Sequence, residues 1–323
     1  MGKPLPRVAV VIPNWNGADD LRDCLASLRS QRGVELEPLV IDNGSTDGSV
    51  ELLRDEGVKH VALASNTGFA RAVNLGVART GSPLVVVLNA DTIHEPDAFA
   101  RLAEELESDP GLGGVQPRIL ELQRGSARDR DDPGTPAYSL GQALTSDGRA
   151  RELGIGLPQG QLGPDPREIF GVCGAACMFR RSALEELGGY DERYFAFYED
   201  VDLNVRARIA GWTFRLVPGA VVWHVGNAAW QAGFEKPEAE NARLVARNRI
   251  WTRVKFMPVS SLPRIVVVEA GSLLVALGQR RLRATLAGKL AALKILPALL
   301  SERRDLARRG DPALARRWLG EVR

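Results

Sequence analysis

The sequence predicts an α/β fold, a mostly parallel sheet flanked by helices, with a helical appendage at its C-terminal end. Three observations carry that prediction. From Val8 to about Asp109, short apolar runs of strand length alternate with helical patterns. Each run stops at a polar or glycine-rich turn. Beyond about Gln231 the strand pattern ceases and only helical stripes remain, which divides the chain into residues 1–235 and 236–323.

The elements follow in order. Strand runs lie at Val8–Ile12, Pro38–Ile41, Val58–Leu63 and Leu84–Leu88, separated by helical patterns at Ala18–Gln31, Asp47–Glu56 and Phe69–Thr80. The first of these helices carries Leu21, Cys24, Leu25 and Leu28 on one stripe, which places Cys24 in the core. Residues 121–168 are rich in Gly, Pro, Arg and Asp without a period, and read as a long mobile excursion. Structure resumes at Ile169–Val172, followed by helices at Arg181–Leu187 and Glu199–Ala210 and a last strand at Ala220–His224.

Composition bounds the answer. With 323 residues, 45% hydrophobic and 25% charged, the chain can bury a full core, which excludes collagen-like, disordered and polytopic membrane classes. Three cysteines are too few for a disulfide framework and lack zinc-ligand spacing, so a reduced, cytoplasmic setting is expected. No secretory signal precedes the first strand. The net charge of +2 conceals a split, because residues 280–323 hold 12 Lys and Arg against 4 Asp and Glu. Ile265–Leu277 is apolar apart from Glu269 but falls short of the roughly 20 residues that span a bilayer. A basic amphipathic tail suits the surface of an anionic membrane, at the inner face of the plasma membrane, and equally suits packing on the body or on a second subunit.

In an open parallel sheet, ligands bind outside the carboxyl ends of the strands, so the polar clusters there should converge on one cleft. They are Pro13–Gly17, Asp42–Ser45, Ser65–Gly68 and Asn89–Asp91. Asp91 is placed to hold a divalent ion, and as plainly to close a turn. Asp42 could accept the imino proton of a pyrimidine, or serve a turn before a helix. Glu199, Asp200 and Asp202 crowd the first turn of a helix, where the macrodipole alone would favour them. The aromatic run before them, Tyr190 to Tyr198, suits sugar binding, and a carboxylate beside it suits general base work. His224 ends a strand as a structural histidine or a metal ligand. Neither a dinucleotide fingerprint nor a P-loop is present.

The ordered series of these motifs resembles the family 2 glycosyltransferases of GT-A fold, particularly their rhamnosyltransferase-like branch. Its carriers are Val11–Gly17, Ile41–Ser49, Asn66–Ala70 with Asn74 and Gly76, and Leu88–Thr92. Further on come Gly174–Arg181, Gly188–Glu192, Tyr198–Leu203 and Val222–His224, so that the likeness spans about residues 7 to 228. The resemblance implies inverting transfer from a dTDP- or UDP-linked sugar to a hydroxyl of a glycan or lipid-linked acceptor, with Mg²⁺ or Mn²⁺ as cofactor and no nucleic acid partner. By position, Asp42 would meet the base, and Pro13, Asn14 and Asn16 would line the nucleoside pocket. Asn66, Gly68 and Arg71 would lie near the ribose or diphosphate, with Asn89 and Ala90 beside them. Asp91 and His224 would be metal ligands, Asp200 with Glu199 the catalytic pair, and Tyr198 and Asp202 acceptor contacts. Asn89 stands where many relatives carry Asp, which leaves it the weaker donor to a cation. A sugar nucleotidyltransferase would need a basic glycine-rich loop where this chain reads Pro13-Asn14-Trp15-Asn16-Gly17. A non-catalytic scaffold would not need the carboxylates.

Overall fold

Five consecutive buried aliphatic residues make β4 (Leu84–Leu88), and five more, Val8–Ile12, fill β1 (Arg7–Asn14). Strands apolar on both faces belong in the middle of a sheet covered on both sides. The structure, a computed structural model, describes residues 4–123, 129, 131–163, 165–226 and 237–320. In it, β1 pairs in parallel with β2 (Glu35–Asp42) on one side and β4 on the other, and β2 pairs in parallel with β3 (His60–Ala62). The crossovers are α1 (Ala18–Arg29), α2 (Ser49–Asp55) and α3 (Phe69–Ala78). Cys24 is wholly buried with Leu21 and Leu25, as its stripe predicts.

The sheet is mixed beyond β4. The chain continues through β5 (Thr92–His94), α4 (Ala98–Ser108), β6 (Leu112–Glu121), β7 (Ala137–Ser139), β8 (Gln142–Leu144), β9 (Ala150–Glu152), β10 (Arg167–Ile169), β11 (Ala176–Arg180), α5 (Arg181–Leu187), α6 (Glu199–Ala210) and β12 (Thr213–His224), of which β8 and β9 form a separate two-stranded sheet. Among the described residues the main order is β10-β12-β6-β11-β4-β1-β2-β3, with β11 antiparallel between β4 and β6. The excursion at 121–168 is therefore not a structureless loop. Its strands are only three residues long, too short to leave a period in the sequence, and they form because β6 offers an edge to β7 and β8 pairs with β9. Residues 124–128, 130 and 164 of that stretch lie outside the described residues.

After the strands come α7 (Pro237–Phe256), α8 (Leu262–Gly278), α9 (Leu282–Leu293), α10 (Leu296–Arg309) and α11 (Pro312–Arg316). The expected boundary near residue 235 lies outside the described residues. These helices pack on the body: Phe256 and Met257 join Val201, Val205 and Ile209 of α6, while Trp251, Ala292 and Leu299 enclose Tyr194. α9 lies so close to α7 that a Cβ on Gly288 would stand 2.2 Å from the Arg243 carbonyl oxygen, which only glycine permits.

The apolar helix is longer than its sequence suggested. Val259–Gly278 runs for 20 residues at a mean hydropathy of 1.6, long and apolar enough to cross a membrane. One face of it is tied down, however: Glu269 pairs with Arg249 (2.8 Å) and Arg253 of α7 and with Lys289 of α9. The other face, including Val266, Val267 and Leu274, is exposed.

Between the appendage and the body sits a buried ion cluster. Lys255 of α7 pairs with Asp202 of α6 and approaches Asp191 at 3.3 Å, while Arg206 holds the other oxygen of Asp202 at 2.7 Å. Removing one member of a buried cluster strands the remaining charge. Lys255→Met is therefore expected to cost about 3 kcal/mol of stability, read as a fall in the urea midpoint; a loss under about 0.5 kcal/mol would show that Arg206 alone suffices.

Candidate active site

The carboxyl ends of β1, β2 and β4 meet as the open-sheet rule requires. At the last register pair of β1 and β2, Asn14 donates its amide to Asp42 at 2.9 Å. Asn43, next along, donates to the Gly68 carbonyl (3.1 Å) and accepts from Thr67 N–H (3.0 Å), tying the turn after β2 to the turn before α3. Gly68 has φ +89, and a Cβ there would lie 2.6 Å from the carbonyl oxygen of Phe195. The turn thus needs glycine for both conformation and space.

These turns surround a cavity of about 370 Å³. Asp91 and Asp200 both open onto it, and so do Glu199, Tyr198 and His224. Pro13, Asn14, Asn66, Gly68, Asn89 and Ala90, which the family resemblance put beside a nucleotide, line the same cavity. Four assignments do not reach it. The Asp42 carboxylate, 1% exposed, is taken up by Asn14 and by the N–H (3.0 Å) and hydroxyl (2.6 Å) of Ser45, so it braces the wall from behind. Asn16 accepts from Thr46 N–H at 2.8 Å and links two turns outside the cavity. Arg71 is exposed and borders a separate cleft with Asn74 and Glu192. Asp202, placed among the acceptor contacts by its sequence neighbours, is wholly buried in the Lys255 cluster, because two residues of α6 turn it about 200° away from Asp200.

Asp200 is held by three donors. Gly174 N–H (3.1 Å) and the Gln142 amide (2.7 Å) reach Oδ2, and Val201 N–H (2.8 Å) reaches Oδ1. Burial pushes its carboxyl above the ordinary value, and the donors pull it part of the way back. Glu199 is pushed well up by burial and by the Asp200 charge, and its Oε2 has no hydrogen-bond partner among the described residues. The three donors favour the charged form of Asp200, whereas burial and the Asp200 charge favour the neutral form of Glu199.

At the end of β12, His224 Nε2 lies 3.1 Å from Asp91 Oδ1 and 3.3 Å from the Asn89 amide. Burial raises the Asp91 carboxyl, but His224 and the N–H groups of Asp91 and Gly226 outweigh it and hold the group below its ordinary value. Among the described residues no three His, Cys, Asp or Glu side chains converge as a closed metal site. Oxygen and imidazole donors facing one cavity do fit a divalent ion in an open half-shell, to be completed by ligand oxygens. The buried Nδ1 of His224 has no partner among the described residues, so neither tautomer is imposed from behind.

Sequence reading missed part of the site. Tyr138, which meets the His224 ring edge-on at 4.3 Å between centroids, and Gln142 and Glu152, which sit beside Asp200, all belong to the short strands of the supposed excursion. Their only signal was the unusual length of that segment.

The loop before Asp200 is strained. Phe195, Phe197 and Tyr198 have φ of 67, 66 and 69, a region non-glycine residues seldom enter. Asn248 of α7, fully buried, donates its amide to the carbonyls of Tyr194 (3.0 Å), Ala196 (2.8 Å) and Phe197 (2.7 Å). Its own oxygen accepts from Arg247 at 2.8 Å, which fixes the amide's orientation.

A mixed sheet with this order and this cavity defines a GT-A glycosyltransferase. The solved structures agree in fold: one neighbour is "GalNAc-T7 with UDP, GalNAc and Mn2+", at TM-score 0.61 and 17% identity over 79% of this chain and 49% of that one. Another is the mannosyltransferase PcManGT of Pyrobaculum calidifontis with GDP-Man and Mn2+, at TM-score 0.54 and 19% identity over 98% of this chain and 88% of that one. Residues 9–188 match the profile of Glycosyl transferase family 2, and residues 160–239 that of Glycosyl transferase family group 2. A relative in Mycobacterium tuberculosis, N-acetylglucosaminyl-diphospho-decaprenol L-rhamnosyltransferase, is 31% identical over 68% of this chain and 75% of its own length. The chain belongs to glycosyltransferase family 2, on its rhamnosyltransferase-like branch.

Asn248→Ala removes two N–H donors, shared among three carbonyls, at about 1 kcal/mol each. A loss of about 2 kcal/mol is expected in guanidinium unfolding. A loss under about 1 kcal/mol would mean that the packing of Tyr194 and Trp251 alone holds the loop.

Proposed function

We propose that this glycosyltransferase moves a sugar, by inverting displacement, from a dTDP- or UDP-linked donor to a hydroxyl of a lipid-linked or glycan acceptor in the building of cell-wall or related polysaccharide. The observation that carries the reading is that Asp91 and Asp200, distant in sequence, open onto one cavity. Rhamnose is the favoured sugar, on the likeness to the mycobacterial rhamnosyltransferase.

Each wall has its task. Asn14, Asn66 and Gly68 border the space for the nucleotide. Asp91 and His224, with Asn89 beside them, would hold Mg²⁺ or Mn²⁺. When bound, such an ion supplies neutralising charge to the leaving diphosphate. Asp200 accepts the proton of the attacking hydroxyl; its raised proton affinity suits that role, because a base is most effective when its pKa nears the working pH. Tyr198 and Glu199 border the acceptor's side. Holding both reactants in one cavity makes the reaction effectively unimolecular.

The lipid-linked acceptor gives the appendage a purpose. α8 presents an apolar face with Leu262 (52%), Val266 (66%) and Leu274 (73%) exposed, and α9 adds Leu290 (65%) and Leu293 (55%). Arg280, Arg281 and Arg283 stand at their junction. Because Glu269 is tied to α7 and α9, the helix lies along the cytoplasmic surface of an anionic membrane rather than crossing it.

Asp200→Asn should bind donor normally, by calorimetry, while transfer falls by about 10²–10⁴; near-normal turnover would reject it as the base. Asp91→Ala should instead weaken nucleotide-sugar binding only when Mn²⁺ is present. In liposome sedimentation, the protein should pellet with vesicles containing anionic lipid, less so at high salt, and Val267→Glu with Leu274→Glu should abolish this. Binding that is equal on neutral vesicles would overturn the electrostatic part of the reading.

A further inference from the structure

The hairpin β8–β9 brings a second carboxylate to the base. Gln142 donates its amide nitrogen to Asp200 Oδ2 at 2.7 Å and to Glu152 Oε1 at 3.0 Å. The orientation of that amide is set from behind: Asn204 donates to Gln142 Oε1 at 2.9 Å, and is itself fixed by donating to the Val172 carbonyl (2.8 Å) and accepting from Val172 N–H (3.2 Å). The Gln142 oxygen must face Asn204, so its two N–H bonds point at the two carboxylates. The far oxygen of Glu152 accepts from the Ser139 hydroxyl, which in turn receives the Gln116 amide at 3.0 Å. Gln116 accepts from Cys173 N–H at 2.6 Å, one residue before the Gly174 that donates to Asp200. The polar chain therefore ends on both sides of the base.

We propose that Gln142 and Glu152 are positioning residues for Asp200: Gln142 clamps the base against Gly174 N–H, and Glu152 supplies a neighbouring negative charge that strengthens it as a proton acceptor. The inference rests on the transfer reading above and adds to it the residues that tune its base. Burial and the Asp200 charge push the Glu152 carboxyl up to about 7. The other titratable groups facing Glu152 are Tyr138 and Cys173, both pushed up by burial and so neutral near pH 7; behind Asp200 stand Glu199 and Cys177, pushed up likewise. As pH rises through about 7, Glu152 ionises, the Asp200 anion is disfavoured by its neighbour, and its affinity for the acceptor's proton increases.

The test has two arms on the full chain. In the unliganded protein, the ¹³C carboxyl shift of Asp200 is titrated in wild type and in Glu152→Gln, which keeps the side chain's shape; the wild-type signal should show a second step near pH 7, as the neighbouring charge forms, and Glu152→Gln should lose that step. In transfer assays, Glu152→Gln should lower kcat about tenfold with acceptor KM changed less than twofold and with a less steep acid limb. Gln142→Met should lower kcat further. An Asp200 titration curve that is the same in both proteins, or a pH profile merely scaled down, would overturn the proposal. If wild type transfers no sugar from any nucleotide donor, the transfer reading fails by itself, while the titration still decides whether the carboxylates are coupled.

Discussion

Asn248 donates its buried amide to three carbonyls of the segment Tyr194–Phe197, and the position of Asp200 follows from that one side chain. Two residues of the segment, Phe195 and Phe197, and Tyr198 just after it occupy the positive-φ region, at about 1–3 kcal/mol each. The two N–H groups of the amide, shared among the three carbonyls at about 1 kcal/mol each, offset only part of this strain. The remainder falls to packing, in which Tyr194 is enclosed by Trp251, Ala292 and Leu299. The strained turn then delivers Tyr198, Glu199 and Asp200 to the start of α6 at an angle that a relaxed loop would not give. The helical region after the sheet is thus part of the active site's scaffold, and Val245 of α7 reaches the cavity wall itself.

The sheet supplies the opposite kind of constraint. β1, β4 and the second half of β2, Leu39–Asp42, are buried and admit little freedom, so the turns that leave their carboxyl ends are placed by the core. Side chains in those turns then brace one another: Asn14 with Asp42 and Asn43 with the residues around Gly68. Asp42 illustrates the division of labour. A carboxylate that looks available at a strand end is consumed in holding the wall, and the cavity is lined instead by the amide that binds it.

Electrostatics separate the acidic residues near the site by environment. Asp91 is held down by His224, Asp200 is raised by burial yet supported by three donors, and Glu199 is raised further because it lacks them. Asp202 pairs with two cations and leaves the chemistry altogether. Similar side chains within four residues of one another therefore acquire different roles from their surroundings.

The alternation of apolar runs and helical stripes determined the β1–β4 core and its crossovers, since burial on both faces leaves a continuous aliphatic run that needs no partner to be recognised. The same reading placed the strand-end turns on one cleft and singled out Asp91, Asp200 and His224. Tertiary structure alone decided the rest. β11 owes its place to the gap between β4 and β6, and the strands β7 to β10 are three residues each, so neither leaves a periodic trace in the chain. Gln142 and Glu152 acquired meaning only through neighbours 58 and 10 residues away in sequence. Whether a carboxylate faces the cavity or a buried lysine depends on two steps of helical rotation and on which cation packs opposite it, and no local sequence pattern carries that information.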